Sequence, residues 1–223
     1  MISSPFALFR QFEDVEVFLF QKEDVLTTDQ ALLRAIQDSP LITLDQVHGN
    51  ETVIVDAPSL SIFKADGALS KAQNLTLAIR VADCQCFVAY APKQKVIGVL
   101  HAGWKGLLNG MIPEFFKTLE RVFYARPDEV FVGLGPSLCL HCSEFTDPVQ
   151  ELPGIDPKFF DGRLVDLQGI ADAQLDAAGV PVSQRERMSD CTRCRNDLYW
   201  SYRGGDREAV KQGARNVLTI RKK

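Results

Sequence analysis

Histidine is scarce in this chain, three among 223 residues, and that scarcity argues against any enzyme built on several histidine-rich copper centres. Long apolar runs are lacking too. No window approaches the roughly 18 to 20 uninterrupted apolar residues of a spanning helix, because charges interrupt every hydrophobic stretch, so no membrane role is expected. Met1 to Arg10 holds no basic leader followed by a long hydrophobic run, which speaks against a signal peptide and for a cytoplasmic protein. Nor is positive charge in excess. The 25 Lys and Arg face 29 Asp and Glu, a formal net charge of −4, so no broad attraction to nucleic acid or an anionic membrane is implied. An anionic ligand would need a local basic pocket. There is no Pro/Ser/Gly-rich linker, low-complexity stretch or internal repeat, and residues 1–223 read as one domain.

What remains is the composition of a globular domain, 46% hydrophobic and 24% charged, able to bury a sizeable core. Glu16 to Phe20 and Leu41 to Val47 read as strands on either side of a short helix, Thr28 to Asp38, whose first polar residues can satisfy free amides. Thr52 to Val55, Leu75 to Val81, Phe87 to Ala91 and Val96 to Leu100 are short, apolar runs bounded by turn residues, the pattern of buried strands. Leu107, Met111, Phe115, Leu119 and Val122 fall at helical spacing, and Pro113 must either kink that helix or start a second one. Val130 to Gly133 reads as a strand, Leu164 to Ala178 as an amphipathic helix closed by Gly179, and Asn216 to Ile220 as a last strand. The class is α/β or α+β, in layers.

Two of the histidines sit where a predicted strand meets a small-residue turn, in Gln46-Val47-His48-Gly49 and in Leu100-His101-Ala102-Gly103-Trp104. Val81-Ala82-Asp83-Cys84 is a third such end, and strand ends project side chains into shared crevices. Two imidazoles and a thiolate suit zinc, and three ligands leave a fourth position for water or substrate. The separations, 36 residues from His48 to Cys84 and 17 from Cys84 to His101, form no local metal motif. On spacing alone the alternative is the stronger reading: hydrogen-bonded strand-end histidines and a core thiol.

QVHGN at Gln46–Asn50, ADGALS at Ala65–Ser70, RVADC at Arg80–Cys84, HAGWKG at His101–Gly106, GLGPS at Gly133–Ser137 and the run from Cys191 to Arg203 occur together, in that order. This succession resembles the YfiH-like, or laccase-domain, family of multicopper polyphenol oxidases. The resemblance implies a three-layer α-β-α sandwich with a mixed sheet, related to cysteine hydrolases of the toxin-deamidase type. It also implies that His48, Cys84 and His101 bind a metal, zinc before copper, and act in catalysis. The activity implied is that of a purine nucleoside phosphorylase or adenosine deaminase on adenosine or inosine, with Lys105, Arg203 or Arg215 as phosphate-binding cations. Polyphenol oxidation, Cys84–His101 hydrolase chemistry and a metal-binding protein with a degenerate site are the alternatives. The partners expected are a nucleoside and phosphate, and the protein a monomer or weak homodimer. Residues 1–40 depart from the family, whose usual opening motifs are not found before Leu41, and Lys105 stands where an arginine is usual.

In a reducing compartment the six cysteines read as buried hydrophobes, metal ligands or catalytic thiols. Cys139-Leu140-His141-Cys142 and Cys191-Thr192-Arg193-Cys194 are both CxxC pairs. The 48 residues between them exceed the usual zinc-ribbon spacing, so separately packed, reduced thiols are expected ahead of a second, structural zinc. Asp83, beside Cys84, is expected to orient a histidine or to cap a turn. The zinc-deaminase signature, His-x-Glu followed by Pro-Cys-x-x-Cys, is absent.

Overall fold

The computed structural model describes residues 1–37, 39–57 and 63–223. Strand β2 (Val15–Phe20) follows a short β1 (Ile2–Ser3), and both join β15 (Asn216–Lys222), β8 (Thr76–Val81) and β3 (Leu41–Ile42) in a five-stranded sheet ordered β1-β2-β15-β8-β3. A six-stranded sheet is ordered β14 (Arg185–Arg187), β11 (Phe131–Leu134), β9 (Gln85–Ala91), β10 (Val96–Ala102), β7 (Gly67–Ser70) and β5 (Thr52–Ile54). Both sheets are mixed: β3 runs parallel to β8, and β5 and β14 run parallel to their neighbours. Two small pairs complete the strands, β4 (Leu44–Asp45) with β6 (Phe63–Lys64), and β12 (Phe160–Asp161) with β13 (Leu164–Val165). The protein is therefore a layered, mixed α/β fold, and the β layer is double.

The burial pattern explains the doubling. β9 and β10 are buried at every residue, which a sheet achieves only when both of its faces are covered. One face packs on the five-stranded sheet, where Val88, Tyr90, Ile97 and Val99 meet Leu19, Ile79, Leu218 and Ile220. The other face packs beneath α3 (Met111–Phe123) and α5 (Leu167–Ala178), through Phe115, Leu119, Ile170 and Leu175. On the far side, Leu32 and Ile36 of the α1 region (helix Asp29–Ala35) cover Phe20, Ala78 and Val217. Three short helices, α2 (Trp104–Leu108), α4 (Pro148–Glu151) and α6 (Arg207–Lys211), lie in connections. Among the described residues no helix is long and apolar enough to cross a membrane.

Several expectations change on contact with tertiary structure. Leu41 to Val47 is not one strand but two short ones in different sheets, and the helix expected from Leu164 begins at Leu167 because Leu164 and Val165 pair with β12. The Asp166 carboxylate then caps α5 by accepting from the Gly169 amide, worth about 1 kcal/mol. α1 starts where expected, with the Thr28 hydroxyl accepting from the Ala31 amide; its expected end at Asp38 lies outside the described residues. Pro113 does start a second helix, because Gly110 adopts φ 72° and separates α2 from α3. Val122 turns to solvent, and Phe123, four residues after Leu119, takes the buried position. Residues 1–40 are integral rather than appended: Phe6, Phe9, Val17 and Leu19 are core, and β2 pairs with β15 over six residues.

α3 docks by pressing Phe115 into space left by two strand glycines. A Cβ on Gly98 would lie 2.7 Å from the Phe115 ring and one on Gly67 3.2 Å, so both positions admit only hydrogen beneath the ring. Phe115→Ala should cost about 3 to 5 kcal/mol, read as a lower denaturation midpoint at unchanged slope.

Candidate metal centre and pocket

Three chain segments converge at the same end of the two sheets. His101 is the penultimate residue of β10 and is 2% exposed; Cys84 sits in the turn between β8 and β9; His48 lies on the loop between β4 and β5. Their ligand atoms all lie within 4.8 Å of one another, and the two imidazole rings meet edge to face with centroids 4.8 Å apart. The expected trio is thus brought together. The donor set, two nitrogens and one sulfur, is borderline-soft and matches zinc.

The residue that organises the trio is Asp66, which lies in the ADGALS motif yet carried no expected role. Fully buried, it accepts from the His48 amide at 3.0 Å and the Gly49 amide at 2.7 Å, fixing a loop in which His48 holds φ 60°. Its Oδ1 also lies 2.7 Å from His101 Nδ1, so that nitrogen carries the proton and Nε2 is left facing Cys84. Burial opposes charge on Asp66, but these donors outweigh it and hold its carboxyl below the usual range. Burial would likewise raise the Cys84 thiol, yet hydrogen bonds from His101 and His48 bring it down to about 6. For His101, burial alone would lower the pKa, and the Asp66 and Cys84 partners raise it to about 9. Cys86, by contrast, is pushed up to about 12 by burial and serves as a core thiol.

Gly103 leaves the space in which the donors meet. A Cβ there would stand 2.8 Å from Cys84 Sγ and 3.2 Å from His48 Cδ2. Because Gly103 has φ −70°, alanine fits its backbone, and Gly103→Ala tests crowding alone. Metal affinity is expected to fall by about tenfold or more, comparable to disturbing a ligand's orientation, with the fold retained in a chelator; isothermal titration reads the first and circular dichroism the second.

Asp83 does something other than orient a histidine. At φ 92° it turns its carboxylate away from the trio to accept from the Thr192 hydroxyl (2.7 Å), the Ser201 hydroxyl (2.6 Å) and the Arg203 amide (2.7 Å). These three bonds sustain a backbone conformation that costs a non-glycine residue about 1 to 3 kcal/mol. They also dock the 192–203 loop against the turn that carries Cys84.

The trio opens into a cavity of about 1000 Å³. Arg203 and Arg215 line it, as do Arg80 and Lys211, which sequence reasoning did not single out; Lys105 does not, its ammonium lying over the Trp104 ring on α2. Arg80 is tied to the Asp29 carboxylate at 2.9 Å. Arg215 donates to the carbonyls of Val210 and Ala214, and among the described residues it meets no carboxylate. Burial and then the nearby Arg80 cation lower its pKa, against a smaller opposing pull from the Cys84 thiol. Arg203 reaches outward, donating to the Glu144 carbonyl at 2.6 Å and covering the Phe145 ring.

The two CxxC pairs also meet, which overturns the expectation of separately packed thiols. Ser137 and Cys191 form a β-bridge that draws the loop after β11 against the loop after β14, and the four sulfurs of Cys139, Cys142, Cys191 and Cys194 lie within 4.8 Å of one another. Separation along the chain carried no information about this, because the bridge is tertiary.

Double-sheet α/β architecture with an imidazole–thiol pocket at the strand ends defines the class of protein, one whose site could hold a metal ion. The chain belongs to the multi-copper polyphenol oxidoreductase laccase family, whose model matches residues 21–220. A protein named purine nucleoside phosphorylase from Rickettsia conorii is 33% identical over 124 residues, covering 56% of this chain and 50% of that one. A second of that name from Streptomyces coelicolor is 27% identical over 176 residues, covering 75% and 71%. The chain thus spans half the length of the first relative. The crystal structure of the Bacillus licheniformis protein YfiH superposes with a TM-score of 0.80 at 23% identity, covering 96% of this chain and 94% of that one.

Proposed function

We propose that the cavity is the active site of a purine nucleoside phosphorylase and that His48, Cys84 and His101 hold one zinc ion within it. The observation that carries the reading is the juxtaposition of the donor trio with a half-buried arginine that has no carboxylate partner among the described residues, Arg215, in one cavity large enough for a nucleoside and a phosphate. The relatives' names support it, as does the resemblance of the motifs. A zinc ion bound there supplies a Lewis acid for a substrate oxygen or a water. Asp66 keeps the His101 proton on Nδ1 and the loop amides of His48 and Gly49 in place. Arg215 and Arg80 offer guanidinium groups to phosphate. In phosphorolysis a phosphate oxygen forms the new bond to C1′ of the ribose, the bond from C1′ to the purine nitrogen breaks, and the electron pair leaves with the base. Adenosine deamination, in which water adds at C6 of the purine and the amino group leaves as ammonia with the glycosidic bond intact, is a second reaction the same pocket admits. The chain acts as one domain in the cytoplasm, as a monomer or weak homodimer, in keeping with six unpaired cysteines.

A second reading takes its support from the Asp66–His101–Cys84 alignment, which has the order of an orienting carboxylate, a base and a nucleophilic thiol. Copper-dependent polyphenol oxidation draws no such support, because only two histidines reach the site.

The test is turnover of inosine and adenosine with and without phosphate, on protein purified without chelator and assayed for metal. Phosphate-dependent release of the free base is expected, together with loss of turnover and of the zinc held by the trio in His48→Ala. Equal rates without phosphate, or full zinc and full rate in His48→Ala, would reject the proposal.

A further inference from the structure

Two loops beside the pocket are folded with almost no core of their own. The segment after β11 is irregular apart from the short turn of 3-10 helix at Leu140–Cys142, and the segment from Asp190 to Arg203 is mostly turns. Although Phe145 and Tyr199 anchor their far ends in the main core, the satellite hydrophobic cluster they share contains Leu138, Cys139, Cys142 and Cys191. Leu138 is its single non-cysteine member. A cluster that small cannot offset the entropy of ordering two loops, and small loop-rich regions of this kind are held by a disulfide or a metal.

The cysteines have the arrangement of metal knuckles. Cys139 to Cys142 is a tight turn closed by the Cys142 amide on the Cys139 carbonyl at 3.0 Å, so both thiols of one CxxC face the same side. Cys191 to Cys194 is a second turn, closed by the Arg195 amide on the Cys191 carbonyl at 2.9 Å. The Cys139 amide points at Cys191 Sγ at 3.4 Å, an N–H···S contact that favours a thiolate acceptor. Cys142 Sγ and Cys194 Sγ stand 3.5 Å apart, beyond a covalent bond yet close to the roughly 3.8 Å sulfur–sulfur edge of a tetrahedron built on zinc–sulfur bonds of about 2.3 Å. All four sulfurs fall within 4.8 Å of one another, and three of the residues are at least partly buried while Cys194 is exposed, leaving a path for an ion to enter. Arg193, on the same turn, supplies positive charge beside what would be a doubly negative cluster, while Arg195 is paired with Asp197.

We propose that Cys139, Cys142, Cys191 and Cys194 form a second metal site, a closed four-thiolate site for a structural zinc ion. Its consequence reaches the pocket. Thr192, within the second knuckle, donates to Asp83, and Arg203 joins Asp83 to the carbonyls of Cys142 and Glu144. The ion therefore clamps the loop that carries Arg203 against the turn that carries Cys84.

The test is metal stoichiometry on protein purified under reductant without chelator and then supplied with zinc. Two zinc ions per chain are expected for the native protein, and one for His48→Ala/His101→Ala, whose cobalt-substituted form should show the intense sulfur-to-metal charge-transfer bands of four thiolates. In the native protein, zinc should protect these four cysteines from alkylation, and chelator should release them, as mapped by mass spectrometry. Cys142→Ser/Cys194→Ser should lose one zinc; if that variant fails to fold, the alkylation map and the histidine variant decide. The proposal is overturned if the folded histidine variant takes up no zinc, if the four thiols react equally with zinc present, or if Cys142 and Cys194 are recovered as a disulfide from reductant. A native protein that loses its zinc only in the cysteine variant would instead count against the His48–Cys84–His101 site and leave this one standing.

Discussion

Asp66→Ala should cost metal affinity about 10- to 100-fold, the usual effect of removing the partner that orients a ligating histidine, although Asp66 itself offers no atom to the trio. The carboxylate serves His48 and His101 together: Oδ1 receives the His48 amide and His101 Nδ1, and Oδ2 receives the Gly49 amide. Removing it frees the ring of one ligand and the backbone of another, and leaves buried donors unpaired at about 1 to 3 kcal/mol each. Asp66→Asn separates these effects. The amide keeps the shape, and its oxygen can still accept from His48 and His101, but its NH2 then faces the Gly49 N–H, so the loop loosens while the ring stays oriented. The expected order of metal affinity, measured by competition with a chromophoric chelator, is native, then Asn, then Ala. Equal affinity in all three would mean the histidines hold their positions without Asp66.

Which parts of this arrangement could be read from sequence follows from the range of the interactions. β8 to β11 and β15 were legible because near-complete burial leaves an apolar run whatever the partner, and β2 because Val15, Val17 and Leu19 form its buried face. The α2–α3 break was legible in Pro113, a local signal. β7 escaped because Gly67-Ala68-Leu69-Ser70 is small-residue sequence, chosen to admit Phe115 and Met111 of α3 rather than to look like a strand. The metal trio was visible only through strand ends and motif order, since its spacings carry no local code. Asp66 and Arg80 went unassigned for a related reason. Asp66 acts on residues 18 and 35 positions away, and the Arg80 backbone is held by the Gln46 side chain 34 positions away, so each role exists only after the sheets assemble. The four-cysteine cluster is the sharpest case. Its pairs were evident, and what decided their meeting was a single β-bridge between Ser137 and Cys191.

Cys84→Ala is expected to abolish turnover, and its metal content decides why. If the thiolate is a zinc ligand, alanine leaves two imidazoles, and affinity at this site should fall by more than the roughly 10- to 100-fold that an orienting partner costs; the zinc of this site and activity then vanish together. If Cys84 is instead a nucleophile with His101 as its base, the rate should fall by several orders of magnitude, as it does when other enzymes lose their nucleophile, with no parallel loss of metal. Cys84→Asp sharpens the distinction. A carboxylate can ligate zinc but cannot replace a thiolate nucleophile in the same geometry, so partial recovery of zinc and of phosphate-dependent turnover is expected only under the first reading. The local geometry favours that outcome. His101 Nε2 and His48 both face Cys84 Sγ, and a nucleophile needs one base, whereas two nitrogens converging on one sulfur above the cleared space at Gly103 are what a cation requires. Retention of both zinc ions in Cys84→Ala with turnover gone would reverse the assignment and make His101 the base of a thiol enzyme.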